Sequence, residues 1–509
     1  MKDRYRNPVL GTDFSDPDVI RVGEDYYLVA SSFNRVPALP LLHSRDLVHW
    51  SFLGHALDRL RPEEYHAVPR RGGGVWAPAL RHHDGLFWIF FPDPDVGIWV
   101  TTAQDPRGPW STPWLLKQGT GLIDPCPLWD GDQAYLIHAW AKSRSGVNNR
   151  FTLHRMSPDG RRLLDKGTVV VDGDHIPGCF TLEGPKLHRR GDWYWIFAPA
   201  GGVATGWQAA LRSRNVEGPY EYRIVLEQKD SPVNGPHQGA WVDTSSGEEW
   251  FLHFQDQGAR GRVVHLQPLN WRDDGWPVIG ADDGSPSGKP VLEHPVPHPR
   301  SADEGRPADT DRFDGSELGL QWTWQANPQS HWYRLDKGTL RLTCLEAPEN
   351  GDLRAFAGVL GQRFPAGACD ITVQVRLSDD VPAEGSAGMA VLGDAFAWCA
   401  LQRAKDGSMQ IVHGTGGSAD RSRTDPAVTH QTSTVTVDED GYTELRLTVT
   451  EEANCRFSWI SADGRRTDSP EFTAVNGHWT GATVGLFALG PDSGPPRGHA
   501  QFSHFEVDP

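Results

Sequence analysis

Three acidic residues stand at matching points of a repeated pattern in the first 300 residues. Asp16 and Asp124 directly precede a proline, and Glu183 precedes a Gly-Pro pair. The other two repeats carry Trp76 and His237 at this point. Two carboxyl groups are what hydrolysis of an acetal needs, because one donates a proton to the leaving oxygen and the other activates water. A third carboxylate nearby would raise the pKa of the acid by repulsion.

The pattern itself is a proline, an apolar stretch, a Gly/Asp turn and an aromatic strand. The proline leads the strand residue by a constant interval in four copies, namely Pro17 to Tyr26, Pro78 to Phe87, Pro125 to Ala134 and Pro185 to Tyr194. A looser fifth copy starts at His237, without the proline and with a longer turn. Each copy is typical of a strand, a hairpin and a second strand.

These units recur at roughly 45–60 residues, the range of a propeller blade. The sequence therefore predicts a five-bladed β-propeller over residues 1–292, with a β-sandwich containing coincidental hairpins as the alternative. Equivalent positions of a closed ring surround its axis, so the three acids are expected to converge in the central channel. For any single Asp-Pro, a simple turn before the strand is the alternative.

The composition changes after the last repeat. Residues 293–308 are rich in proline and charge and nearly free of apolar residues, which predicts a linker. Alternating strand patterns and frequent turns resume over 309–509 and predict an antiparallel β-sandwich. The whole chain is thus expected to be all-β with two domains.

Charge and hydropathy exclude several classes of partner. The net charge of −17 argues against nucleic acid, because phosphate-binding surfaces are basic. No apolar run approaches the roughly 18 residues of a membrane span, and the first residues lack the apolar core of a signal peptide, which favours a cytoplasmic location. Six cysteines without zinc-ligand spacing predict free thiols. Oligomeric state has no signature in the sequence.

The repeat motifs resemble those of glycoside hydrolase family 43, notably the segments NPVLGTDFSDPDVIR, GVWAPALRHHDGLFWIFF, GLIDPCPLWDGDQAYL and TLEGPKLHRRGDWYWIFAP. The second domain, opening with FDGSELGLQWTWQANP, resembles the concanavalin-A-like sandwich that follows the propeller in β-xylosidases of that family. The resemblance implies that Asp16 is the general base, Glu183 the general acid, and Asp124 the carboxylate that tunes and orients the acid.

The same resemblance implies five residues that contact the sugar. Arg262 would touch the sugar and the acids, and His237 matches a channel histidine that holds a water or a calcium ion in some relatives. Phe33 and Trp76 would wall the pocket, and Trp479 would reach its rim from the sandwich. The structural alternatives are an ion pair at a blade edge for Arg262 and core positions for His237, Phe33 and Trp76. For Trp479 the alternative is an ordinary strand residue of the sandwich, and the sequence favours that alternative.

The expected activity is removal of terminal β-D-xylose or α-L-arabinofuranose from xylo- or arabino-oligosaccharides, with inversion. Inversion implies carboxyl groups roughly 6.5–9.5 Å apart. No cofactor is expected to be required, although a structural calcium ion at His237 is an alternative. A carbohydrate-binding protein without catalysis, a structural propeller for protein partners and an endo-arabinanase of the same fold remain open. The stretch around Asn34 and Arg35 departs from the β-xylosidase pattern, which leaves the choice of sugar open.

Overall fold

The computed structural model describes residues 4–297, 305–418, 427–429, 433–435, 437–490 and 496–509. Over these residues the chain is nearly all β, which confirms the predicted fold class. The exceptions are one α-helical turn, α1 (Lys142–Ser145), and the 3-10 turns Tyr65–Ala67, Gly173–His175, Gly258–Arg260, Glu349–Gly351 and Leu353–Ala355. Across the described ranges, no helix has the length and apolar character needed to cross a bilayer.

A short strand, β1 (Arg4–Arg6), precedes five four-stranded blades, each with its strands in chain order. Blade 1 holds β2 (Asp18–Val22), β3 (Asp25–Val29), β4 (Ala38–Ser44) and β5 (Ser51–Leu57), and blade 2 holds β6 (Ala79–His83), β7 (Leu86–Asp93), β8 (Gly97–Ala103) and β9 (Trp114–Gln118). Blade 3 holds β10 (Leu122–Asp130), β11 (Gln133–Trp140), β12 (Arg150–Met156) and β13 (Thr168–Asp172). Blade 4 holds β14 (Lys186–Arg190), β15 (Trp193–Ala200), β16 (Trp207–Ser213) and β17 (Glu221–Leu226), and blade 5 holds β18 (His237–Asp243), β19 (Glu249–Asp256), β20 (Arg262–Trp271) and β21 (Pro277–Ile279).

The constant proline interval corresponds to a structural position. In blades 1 to 4 the aromatic or apolar residue at the end of the interval is the second residue of the second strand, namely Tyr26, Phe87, Ala134 and Tyr194. Five separate clusters of buried apolar residues fill the five contacts between neighbouring blades. Each blade therefore shares one core with each neighbour, and the ring is held together by packing on both faces of every sheet.

The N-terminal segment closes the ring against blade 5. Strand β1 pairs with β22 (Glu293–Pro295), and the backbone of Leu10 bridges to Val264 of β20. The side chain of Asn7 donates to the carbonyls of Leu266 and Val291, each at 2.8 Å. The first residues of the predicted linker 293–308 therefore form a strand of this ribbon.

The sandwich is built from the strands that follow. They are β23 (Thr323–Trp324), β24 (Tyr333–Leu335), β25 (Leu340–Thr343), β26 (Leu345–Glu346), β27 (Leu360–Arg363), β28 (Cys369–Leu377), β29 (Ser386–Leu392), β30 (Ala395–Arg403), β31 (Met409–Gly417), β32 (Val428–Thr429), β33 (Ser433–Thr434), β34 (Thr443–Val449), β35 (Asn454–Ile460), β36 (Arg466–Asp468), β37 (Phe472–Thr473), β38 (Thr483–Gly490) and β39 (His499–Asp508). One sheet runs β23-β27-β38-β29-β30-β31-β32 and the other β24-β25-β39-β28-β34-β35-β36, with the remaining short strands at their sides. Of these pairings only β26 with β38 is parallel. A large buried apolar cluster lies between the sheets.

Backbone bonds join the two domains directly. Val36 of blade 1 and Trp324 of the sandwich exchange two hydrogen bonds, at 3.0 and 2.6 Å. The side chain of Asn327, only 2% exposed, bonds the backbone of Leu60 in both directions, at 2.8 and 3.0 Å. All six cysteines are described and unpaired, as the sequence predicts.

Candidate active site

One cavity of about 210 Å³ opens where the first strands of the blades meet. It contains every residue that the sequence singled out, which are Asp16, Phe33, Trp76, Asp124, Glu183, His237, Arg262 and Trp479. The volume lies below the roughly 300–1,000 Å³ typical of sites for drug-sized ligands. The cavity is therefore of a size suited to a single sugar ring rather than to a long chain segment.

Unusual backbone conformations aim side chains into this cavity. Asp16, Phe33, Asp124, Thr181 and Trp479 all have a left-handed backbone, with φ of 54°, 52°, 55°, 51° and 67°. Such conformations cost on the order of 1–3 kcal/mol each and concentrate at functional sites. The ladder of β10 with β11 is irregular just where Asp124 lies, so a bulge turns this carboxylate toward the axis.

Asp16 is held as a buried carboxylate by two donors. Its Oδ1 accepts from Nη1 of Arg262 at 3.1 Å, and its Oδ2 accepts from the hydroxyl of Ser31 at 2.6 Å. Asp16 is 5% exposed, so this is a desolvated ion pair rather than a surface one. Each oxygen keeps a lone pair that is not used by these bonds, which leaves Asp16 able to accept a proton from water.

Glu183 and Asp124 form a second, differently tuned pair. Burial raises the pKa of the Glu183 carboxyl, and the negative charge of Asp124 raises it further, against the opposing effect of Arg262. Burial also raises the pKa of Asp124, while a hydrogen bond from Gly184 lowers it. The two groups titrate as a pair. The arrangement favours a protonated Glu183 beside an ion-paired Asp16, which is the asymmetry that acid–base hydrolysis requires.

His237 lies next to Glu183 and is a neutral imidazole. Burial lowers its pKa to about 3, with further lowering by the charge of Arg262. Its Nε2 lies 3.5 Å from Oε1 of Glu183, and neither ring nitrogen has a hydrogen-bond partner among the residues described.

The surroundings of His237 bear on the calcium alternative. Within the described part of the chain, no group of three or more His, Cys, Asp or Glu residues is arranged to hold a metal. Calcium takes 6–8 oxygen ligands. Protein atoms around His237 therefore do not fit a calcium site by themselves, and His237 as a metal ligand stays a prediction.

Aromatic rings enclose the open side of the cavity. The ring of Trp76 lies 6.4 Å from that of Phe33 and 6.4 Å from that of Trp479, measured between centroids. The guanidinium of Arg262 faces the Trp479 ring at 5.7 Å. Trp479 lies in the loop before β38, not in a strand, and the residue is 40% exposed. The sandwich thus supplies one wall of a pocket whose acids all come from the propeller.

Asn34 and Arg35 directly follow the cavity residue Phe33 in the chain, and both contact the sandwich domain. Nδ2 of Asn34 donates to the carbonyl of Gln325 at 2.7 Å, and Nη2 of Arg35 donates to the carbonyl of Gly481 at 3.1 Å. Neither lines the cavity. Their divergence from the β-xylosidase pattern therefore concerns how the two domains dock.

Sequence reasoning missed several cavity residues, including Thr181, Val203, Gln238 and Phe254. Phe254 pairs across the ladder with His237, so a hairpin register drawn from the fifth repeat would have found it. Gln238 follows His237 directly at a ladder irregularity, and no periodicity signals such a bulge. Val203 lies in a loop between two strands of blade 4, where the sequence shows only a glycine-rich turn.

Comparison with known proteins defines the class first. The fold and the clustered acids are those of a carbohydrate-cleaving propeller enzyme: the model of "Glycosyl hydrolases family 43" matches residues 5–277, and that of the "Beta xylosidase C-terminal Concanavalin A-like domain" matches 310–508. The chain belongs to glycoside hydrolase family 43. It is therefore a glycoside hydrolase with a carbohydrate substrate.

Individual relatives agree along most of the chain. A putative beta-xylosidase of Xylanibacter ruminicola is 38% identical over 94% of this chain and 85% of its own length. A non-reducing end alpha-L-arabinofuranosidase of Bacteroides ovatus is 31% identical over 77% of this chain and 74% of its own. The crystal structure of a GH43 protein from Bacillus licheniformis superposes with a TM-score of 0.83 at 25% identity, covering 99% of this chain and 100% of that one.

Proposed function

We propose that this protein removes terminal β-D-xylose or α-L-arabinofuranose from xylo- or arabino-oligosaccharides by a single displacement with inversion. The observation that carries the proposal is the contrast between Asp16, ion-paired to Arg262, and Glu183, whose pKa is raised in the same cavity. The names of the relatives supply the two candidate sugars, and the cavity of one-ring size supports cleavage at a chain end.

In the proposed reaction, protonated Glu183 gives its proton to the glycosidic oxygen as the bond from that oxygen to the anomeric carbon breaks. Asp16 takes a proton from a water whose oxygen attacks the anomeric carbon from the opposite face. Glu183 finishes ionised and Asp16 protonated, and exchange with solvent resets both. Arg262 holds the Asp16 carboxylate in place through their ion pair, while the negative charge of Asp124 raises the pKa of Glu183 and so favours its protonated form.

Trp479 supports exo rather than endo cleavage. Its ring covers one side of the cavity beside Trp76, so a polysaccharide has no through-passage along that side. An endo-arabinanase needs a groove open at both ends. A purely sugar-binding protein gains nothing from three carboxylates in one cavity, of which Asp16 and Asp124 are buried, since unpaired buried charge is costly.

The test is hydrolysis of nitrophenyl β-D-xylopyranoside and nitrophenyl α-L-arabinofuranoside, side by side, with Asp16→Asn as the control. Release of nitrophenol from either substrate, lost in the variant, supports the proposal and identifies the preferred pentose. The first-formed anomer, read by NMR, should be α-xylose from the β-xyloside. Binding of xylobiose without hydrolysis would instead establish a sugar-binding protein, and a first-formed β-xylose would refute inversion.

A further inference from the structure

Asp13 is a buried carboxylate, only 4% exposed. Its hydrogen-bond donors come from both the propeller and the sandwich. Its Oδ1 accepts from the backbone N–H of Arg262 at 3.0 Å and from the hydroxyl of Ser15 at 3.2 Å. Its Oδ2 accepts from the backbone N–H of Gly481 at 3.0 Å and from Nη1 of Arg35 at 3.1 Å. One side chain therefore binds the propeller strand that begins at Arg262 and the sandwich loop that contains Gly481.

Both ends of this bridge lead to the active site. Arg262 is the partner of Asp16, and Trp479 stands two residues before Gly481. The Arg262 guanidinium also faces the Trp479 ring at 5.7 Å. Asp13 thus fixes, by backbone contacts, the two residues that meet again through their side chains inside the cavity.

The backbone around Asp13 is tightly packed, with no room for an added side-chain atom at Gly261 or Gly481. Gly261 has φ of 73°, and a Cβ there would lie 2.6 Å from Cβ, Cγ and Oδ1 of Asp13. A Cβ on Gly481 would lie 2.9 Å from Cα of Gly261, and the next residue, Ala482, donates from its backbone to the carbonyl of Ala259 at 2.7 Å. Because the two backbones touch directly, a shift of the sandwich loop must move the residue before Arg262.

We infer that Asp13 is a positioning residue that couples docking of the sandwich to the geometry of the active site, by holding Arg262 and the Trp479 loop in register. This inference rests on the proposed function. Asp13 touches neither Asp16 nor Glu183 through a hydrogen bond, and it is not among the residues that line the cavity. It acts on the reaction through Arg262 and Trp479.

Asparagine at this position isolates the effect. Asp13→Asn keeps the volume and one acceptor oxygen, but its Nδ2 faces donors on one side of the bridge, either Gly481 and Arg35 or Arg262 and Ser15. Two donors cannot satisfy each other, so one side of the bridge opens. A displacement on the order of 1 Å at a catalytic constellation can cost about 100-fold in rate.

The matched control is Asn327→Ala. Asn327 is an equally buried polar tether between the domains, but it binds Leu60 and Glu63, and none of the three lines the cavity. Loss of the Asn327 side chain should lower the melting temperature of the protein while leaving kcat/KM within about twofold of wild type. Asp13→Asn should lower kcat/KM by about 10–100-fold at a comparable melting temperature.

The double-mutant cycle with Trp479→Ala tests the coupling itself, with kcat and KM measured on the preferred nitrophenyl pentoside. The product of the two single losses in kcat/KM should exceed the loss in Asp13→Asn/Trp479→Ala by about threefold or more, as expected for coupled residues. Simple multiplication of the losses, or a loss in Asp13→Asn no larger than that in Asn327→Ala, would overturn the inference.

A second variant approaches the same contact from the sandwich side and keeps the idea testable if Asp13→Asn does not fold. Gly481→Ala adds one methyl group against Gly261 and should lower kcat/KM in the same way. A wild-type value in Gly481→Ala would overturn the inference. If the unaltered enzyme releases no nitrophenol, the proposed function has failed; the same variants compared for xylobiose affinity by calorimetry then decide the coupling separately.

Discussion

Asp124 accepts a 2.8 Å hydrogen bond from the backbone N–H of Gly184, the residue directly after Glu183. The bond ties the third carboxylate to the chain segment that carries the acid. Position and charge are therefore supplied by the same group: the bond fixes where the acid points, and the negative charge holds the acid's proton in place.

Replacing only the charge of Asp124 should move the pH profile. Asp124→Asn retains an acceptor for Gly184 but removes the repulsion that raises the pKa of Glu183. Since activity needs protonated Glu183, kcat/KM falls as pH rises through that pKa. The alkaline limb should therefore move to lower pH in the variant, with a rate loss of about 10–100-fold at neutral pH. A limb that stays in place would show that Asp124 does not tune the acid.

Loss of the acid should depend on the leaving group. Glu183→Gln removes the proton donor and should reduce turnover of xylobiose by about 10²–10⁴-fold. A dinitrophenyl xyloside, whose leaving group needs no protonation, should be affected far less. Asp16→Asn is the matched control, because loss of the base should slow both substrates alike. Equal losses for both substrates in Glu183→Gln would contradict the assignment.

Truncation of Trp479 should weaken substrate binding more than it slows chemistry. The Trp479 ring lines the cavity and takes no part in proton transfer. Trp479→Ala should therefore raise KM by about 5–10-fold, the effect of an aromatic contact worth about 1 kcal/mol. The melting temperature should change little, because the residue is 40% exposed. Trp479→Phe should recover part of the loss. An unchanged KM in both variants would place the ring outside the substrate's path.

Removal of divalent metal should leave the activity in place. The described residues offer no group of three ligands, and neutral His237 alone cannot supply the oxygen shell of calcium. We expect the rate after EDTA treatment and dialysis to match that of the untreated enzyme, with added CaCl₂ as the control arm. A loss that calcium reverses would show that a calcium ion takes part.

Most of what could be predicted from the sequence about the propeller and its acids came from the repeated pattern. A fixed interval from Pro17 to Tyr26 and in three further copies reflects one hairpin geometry, and hairpin geometry is local, so it can be read from neighbouring residues. Asp16, Asp124 and Glu183 could be placed together because a closed ring brings equivalent positions to one axis. These inferences need the repeat and no knowledge of long-range packing.

What sequence could not predict depends on contacts between distant segments. The Asn34 and Arg35 contacts lie between domains, and the placement of Trp479 beside Arg262 was suggested by the family resemblance and not by any local pattern around Trp479. The pairing of Arg4–Arg6 with Glu293–Pro295 likewise has no local signal in the proline-rich segment. In each case the partner is set by how two finished units dock.

The ribbon of β1 with β22 also constrains the order in which the parts of this protein can fold during synthesis. Its first strand must wait for Glu293–Pro295 to be synthesised before the ring can close. Domains generally fold as units during synthesis, the N-terminal one first. The propeller can therefore be complete while Trp479 is still unsynthesised, so a nascent chain can hold its three acids in a cavity that lacks the aromatic wall from the sandwich, and tight substrate binding has to wait until the second domain docks.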